Sequence, residues 1–161
     1  MTNWKFLALP SAKKLSALLT LLPAPDMLKG ANNADDALEL LRSELNLKAG
    51  GYRVVKTPIG LITIEDNLLA HIVEKRDAAR ERYAKWIIPT LEDPTEIWLS
   101  RYDNDELRQR YIRFFSDSNG KQTLVIVSIA RGNALWNFIP IPTRSLDNQR
   151  EGELLWKNYA L

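Results

Sequence analysis

Hydrophobic positions divide the chain into an amphipathic helical part followed by a β-rich part. Leucines recur at helical spacing over residues 12–22 and again over residues 35–47, which predicts two helices. Pro23-Ala24-Pro25 interrupts the first helix, and Gly50-Gly51 ends the second. We interpret residues 1–50 as an N-terminal helical hairpin or extension, and residues 51–161 as the main domain.

The segment from Thr57 to Trp98 changes from a strand pattern to a helical one. Leu61 to Ile64 is a short β-branched run after a proline–glycine turn, which predicts a strand. Asp66 stands where a helix N-cap is expected, and apolar positions then recur at helical spacing as far as Ile88. One long helix, or two short helices broken near Asp77, would both fit.

The pattern after residue 96 is that of β-strands. Alternating and continuous apolar runs predict strands over 97–101, 108–115, 124–130 and 136–141, with turns at 118–121 and 131–133 and a short helix or strand near the C-terminus. The predicted fold is α+β, with N-terminal helices followed by a helical layer packed on a four- or five-stranded antiparallel sheet. We expect the helices to cover one face of the sheet and a site to open on the other.

Composition narrows the possible functions. The chain has no cysteine and one histidine, which excludes thiol chemistry and disulfides and argues against a classical zinc site, so no metal or cofactor is predicted. The formal net charge is only +2, so binding of nucleic acid requires a local basic patch. Apolar runs are too short to span a membrane, and we expect a soluble cytoplasmic protein, with association with a virion or delivery to a target cell as alternatives.

His71 and Arg76 are the two positions whose chemistry stands out. Histidine titrates near neutral pH and serves as a general acid or base, and Lys75 lies one helical turn from His71. An exposed helix histidine with no catalytic role fits the pattern equally well. Arg76 projects toward the apolar face, which favours a salt-bridged structural arginine over a phosphate-binding one. A histidine with surrounding arginine, lysine, tyrosine and threonine side chains is a set that metal-free RNA cleavage can use.

The order of several motifs resembles a known family. The segments are TPIGLITI, LLAHIVEKR, RYAKWIIPTLEDPTEIW, RYIRFF, LVIVSIA, FIPIPT and NQREGELLWK. Together, over roughly residues 52–159, they resemble the phage-associated barnase–EndoU–colicin–RelE-like (BECR-fold) nuclease domains found in phage Mu F-like head morphogenesis proteins. The resemblance implies a small α+β fold and a metal-independent ribonuclease of the toxin or effector type, which cleaves RNA through 2′-OH attack to a 2′,3′-cyclic phosphate.

The resemblance also implies roles for individual residues. His71 would be the general base or acid, and three further residues would lie around the scissile phosphate: Arg76, Thr143 and Arg150. Substrate binding is expected from Lys75, Arg80, Tyr111 and Lys121. Because the chain has no second histidine, Lys75, Tyr111 or an arginine must replace one, or activity has been lost. Expected partners are RNA and an immunity or antitoxin protein; the alternative is a catalytically silent phage or prophage structural module that binds a protein partner.

Overall fold

A computed structural model describes residues 2–117, 120–129 and 133–160. Within these ranges, four α-helices and seven β-strands follow one another, with one 3₁₀ helix before α4 and another before β7. Their bounds are α1 Ala12–Leu18, α2 Ala34–Leu45, β1 Tyr52–Thr57, β2 Gly60–Glu65, α3 Asp66–Val73, 3₁₀ Arg80–Tyr83, α4 Ala84–Glu92, β3 Glu96–Arg101, β4 Leu107–Asp117, β5 Gly120–Ile129, β6 Ala134–Pro142, 3₁₀ Thr143–Gln149 and β7 Glu153–Lys157.

The described strands form one sheet in the order β1-β2-β6-β5-β4-β3-β7. Neighbouring strands are antiparallel except β2 and β6, which are parallel at Thr63 and Ala134. The α+β class is confirmed, but the prediction of four or five antiparallel strands is wrong in strand number and in direction. Strand β1 was not predicted, because most of its residues are charged or polar. It is a strand because it pairs with β2. Residues 118–119 and 130–132, which contain most of the two predicted turns, lie outside the described residues.

Helices α2, α3 and α4 cover one face of the sheet. Alternate residues of β4 and β5 point to opposite faces, and those on this face, such as Tyr111 and Ile126, pack with Leu41, Leu69 and Ile87 in a first hydrophobic cluster. The prediction that a helical layer packs on the sheet is therefore confirmed.

The opposite face of β3, β4 and β5 is covered as well. Trp98, Phe114 and Val125 pack there with Leu15 of α1 and Leu146 of the second 3₁₀ helix in a second hydrophobic cluster. The expectation that a site opens on this face is wrong, because α1 and the C-terminal segment supply enough apolar surface to close it.

Helices α1 and α2 pack in these two different clusters instead of forming a hairpin. The connecting segment crosses from one cluster to the other and is fixed by backbone hydrogen bonds, from Ser116 N to Leu22 O (3.0 Å) and from Ala24 N to Ser116 O (2.8 Å). Leu15 of α1 and Leu41 and Leu45 of α2 are fully buried in these clusters, whereas Leu18 and Leu22 are exposed. The domain boundary at residue 50 stays a prediction.

The central segment contains two short helices, as one of the two interpretations proposed. The break follows α3, where Ala79 adopts a left-handed conformation (φ 42°) and a 3₁₀ turn leads into α4. Asp66 is the first residue of α3 and not its N-cap. Its carboxylate accepts hydrogen bonds from Arg42 (2.6 and 2.9 Å) and from Gly50 N (2.8 Å), so it joins α2 and the following loop to α3.

Candidate active site between α3 and β6

The imidazole of His71 lies against the indole of Trp136. The ring centroids are 4.4 Å apart and the planes are inclined by 35°. The Nε2 atom of His71 is buried and has no hydrogen-bond partner within the described structure. Leaving a buried polar atom unpaired costs about 1–3 kcal/mol, so the unpaired nitrogen calls for an explanation, and a catalytic role is one.

Trp136 and Asn137 reach this position because β6 is irregular there. The register between β5 and β6 shifts at Val127 and Ser128, so Leu135 and Asn137 pair with consecutive residues of β5 and Trp136 has no partner opposite it. Such a bulge redirects side chains, which is common beside functional sites. The Oδ1 atom of Asn137 accepts a hydrogen bond from Nη1 of Arg80 (2.8 Å), which holds the Arg80 guanidinium at β6.

Arg108 approaches Trp136 from β4. Its guanidinium carbon is 5.8 Å from the Trp136 ring centroid and 4.4 Å from that of Tyr102. The Nε atom donates to Glu106 (3.0 Å), and this hydrogen bond lowers the pKa of the Glu106 carboxyl. His71, Trp136 and Arg108 therefore lie close together and combine an imidazole, an indole and a guanidinium in one candidate site.

Some of the predicted substrate-binding residues lie near this site and others do not. Lys75 is exposed two residues after the end of α3, and Arg80 is held at Asn137. Tyr111 is only 2% exposed, its hydroxyl donates to Gln109 (3.0 Å), and burial raises its pKa. It therefore lies in the first hydrophobic cluster beneath the surface. The side chain of Lys121 is outside the described part of the structure.

Arg76 makes a salt bridge inside the protein. Two of its nitrogens contact the fully buried Glu81 carboxylate at 2.9 and 2.6 Å, and it also donates to Ala31 O (2.9 Å). Glu81 in turn accepts from Ala31 N (2.9 Å). This geometry matches the salt-bridged structural interpretation of Arg76. It also fixes the turn that presents Arg80 to Asn137.

Thr143 and Arg150 lie with the second hydrophobic cluster, on the opposite side of the sheet from α3. The Thr143 hydroxyl is buried 3.2 Å from that of Thr123. Arg150 is 0% exposed and donates to Glu96, to Asp147 and to Pro10 O. A catalytic role for either residue stays a prediction, and their burial favours a structural one.

The two aromatic members of the site, Trp136 and Tyr102, had no assigned role from the sequence, and Arg108 had no specific one. Trp136 is the first residue of a predicted strand, and Arg108 is the first residue of another. Both features are weak signals, because a position at the start of a strand does not by itself indicate a function.

Two negative findings concern only the part of the chain that the structure describes. Within residues 2–117, 120–129 and 133–160, no group of three or more metal-ligating side chains converges on one point. Within the same ranges, no helix combines the length and the apolar character that crossing a membrane requires.

Comparison with known proteins supplies the family. The model of the family described as phage-Barnase-EndoU-ColicinE5/D-RelE like nuclease2 matches residues 41–157, from within α2 to the end of β7. Comparison with curated proteins and with solved structures gave no match. Because the matched region is well over half of the chain, the protein belongs to this family of phage-associated BECR-like nucleases.

Proposed function

We propose that this nuclease-family protein is a metal-independent RNA endonuclease that uses His71 for proton transfer. The observation that carries the proposal is the unpartnered Nε2 atom of His71, held against Trp136. A buried imidazole nitrogen without a protein partner can exchange a proton with a substrate oxygen. Family membership supports phosphodiester chemistry, and the packing of His71 against Trp136 supports the choice of this site for it.

The proposed reaction begins with attack of a ribose 2′-oxygen on the adjacent phosphorus. The 2′-OH loses its proton, the bond from phosphorus to the 5′-oxygen breaks, and the products are a 2′,3′-cyclic phosphate and a 5′-hydroxyl end. His71 accepts the 2′-OH proton as general base. Arg108 and Arg80 stabilise the negative charge that develops on the phosphoryl oxygens.

The leaving 5′-oxygen requires a proton from a second group. Tyr111 is buried, and an arginine stays protonated at physiological pH, so neither is a suitable donor. Lys75 has an exposed side chain four residues after His71 in the chain, and we assign this role to it. Lys75→Arg keeps the positive charge but not an easily lost proton, so it should cleave more slowly than wild type while binding RNA equally well.

The test is incubation of purified protein with total RNA and with tRNA in EDTA. Wild type and Lys85→Ala, which removes an exposed lysine of α4, should cleave RNA and leave 2′,3′-cyclic phosphate ends. His71→Ala and His71→Gln should be slower by about 10²- to 10⁴-fold, the usual contribution of general acid–base catalysis.

Three outcomes would contradict the proposal. These are equal cleavage by wild type and the His71 variants, cleavage that requires an added divalent cation, and equal cleavage of RNA and of a 2′-deoxy strand. Intact RNA with every folded variant would instead support a catalytically silent module.

A further inference from the structure

Four side chains from four segments form a continuous column at the proposed site. His71 lies against Trp136 at 4.4 Å, the Arg108 guanidinium lies 5.8 Å from Trp136, and the same guanidinium lies 4.4 Å from Tyr102. The column contains aromatic rings and one flat guanidinium, which are the two kinds of side-chain surface on which unpaired nucleobases stack.

The spacing within the column is uneven. The Arg108 guanidinium is close to Tyr102, whose hydroxyl accepts a hydrogen bond from Nε of Arg110 (3.2 Å). The Arg108 guanidinium carbon is 1.4 Å farther from the Trp136 ring centroid than from the Tyr102 ring centroid (5.8 against 4.4 Å). The space between Arg108 and Trp136 is therefore the wider one, and it is where a planar group would enter the column.

We propose that Trp136 and Arg108 clamp one unpaired nucleobase next to the scissile phosphate, so that the substrate is single-stranded RNA. This inference rests on the proposed ribonuclease function and adds the substrate class. Small rotations of the Arg108 side chain would widen the contact to admit a base, which then stacks on the indole on one side and on the guanidinium on the other. The same opening would uncover the Nε2 atom of His71, which is buried when the site is closed, to the ribose of the stacked base.

The clamp has two consequences for substrate choice. A base within a duplex must first leave its stack and its pair, which costs a few kcal/mol, so duplex RNA should bind poorly. Stacking uses the face that every nucleobase has, so the clamp should discriminate only weakly between bases.

Binding to an uncleavable strand tests the clamp apart from the chemistry. The probe is a short fluorescent 2′-O-methyl RNA, in which the attacking hydroxyl is blocked, used as a single strand and annealed to its complement. Wild type should bind the single strand more tightly than the duplex by at least tenfold. Trp136→Leu should weaken single-strand binding by roughly 5- to 150-fold, the range for one stacked base, and Trp136→Phe should restore most of it.

Matched controls separate the clamp from general effects of substitution. Trp156→Leu removes another partly exposed tryptophan, on the edge strand β7, and Arg101→Ala removes an exposed arginine of β3. Both should bind the single strand as wild type does. Arg108→Ala should weaken binding and reduce the slope of log affinity against log salt concentration by about 0.7, the value for one phosphate contact on a single strand.

An abasic probe gives the decisive comparison. Replacing the clamped nucleotide by an abasic one should weaken binding by wild type but not by folded Trp136→Leu, because the two changes remove the same contact. Independent, additive losses would overturn the clamp, as would equal binding of single strand and duplex. Single-strand binding through Trp136 without any cleavage of ordinary RNA would retain the clamp and reject only the catalytic proposal.

Discussion

The guanidinium of Arg150 and the carboxylate of Glu96 form a bidentate salt bridge in which both side chains are fully buried, with N–O distances of 2.7 and 2.9 Å. The Tyr159 hydroxyl donates to the same carboxylate, and burial together with the negative charge raises the pKa of Tyr159. Pro10, in the segment before α1, joins the group because its carbonyl oxygen accepts a hydrogen bond from Arg150. This cluster connects both ends of the chain to strand β3.

Replacing Arg150 should destabilise the fold. Arg150→Ala leaves the Glu96 carboxylate buried without its cation, which typically costs about 3–5 kcal/mol in free energy of unfolding. Urea unfolding measures that loss. RNA cleavage per folded molecule should change little, whereas a large loss of cleavage at unchanged stability would support the predicted catalytic role of Arg150.

Arg76→Ala should also destabilise the fold, in this case at the connection between α3 and α4. It leaves the fully buried Glu81 carboxylate with only the Ala31 N–H as a partner from another residue, which we expect to cost about 2–4 kcal/mol. The pair Arg76→Met with Glu81→Gln should recover a substantial part of the loss, because no unpaired charge then remains buried. Thermal unfolding of the single and double variants tests this, and a double variant no more stable than Arg76→Ala would contradict it.

Glu106→Gln should strengthen RNA binding. The Glu106 carboxylate neutralises Arg108 at 3.0 Å and repels an approaching phosphate. The amide keeps a similar shape without the charge, so affinity for a 2′-O-methyl single strand should rise by about two- to tenfold and fall more steeply with salt. Asp103→Asn, which removes an exposed carboxylate from the same loop, serves as the control for net charge. An equal gain with Asp103→Asn would show a general charge effect instead.

Asp66 should make stability depend on pH in the acidic range. Hydrogen bonds from Arg42, and a further one from Gly50 N, lower the pKa of its carboxyl in the folded protein. A lowered pKa means that the stabilisation is complete above the unfolded-state pKa of about 3.9 and is lost as the pH falls through the folded-state value. Asp66→Asn should therefore be less stable than wild type at neutral pH, and urea midpoints should converge as the pH falls below 4. A constant difference down to pH 2 would contradict this assignment.

Local pattern was sufficient for much of the fold. The strands β3 to β6 follow from alternating or continuous apolar runs, and α2 and α3 follow from leucines and other apolar residues at helical spacing. Strand β1 could not be found in this way, because charged side chains interrupt it and its strand conformation depends on hydrogen bonds to β2.

The sequence by itself determined the α+β class, the family and the position of the lone histidine on a helix, since all three depend on the order and spacing of residues along the chain. Only the tertiary structure decided which basic side chains surround that histidine. Arg76 and Arg150 are of a residue type that often binds phosphate, but each forms a salt bridge with a buried carboxylate. Trp136 and Arg108 lie on different strands and meet near His71 through strand register and a bulge. Such contacts depend on pairing between distant segments, which local periodicity does not specify.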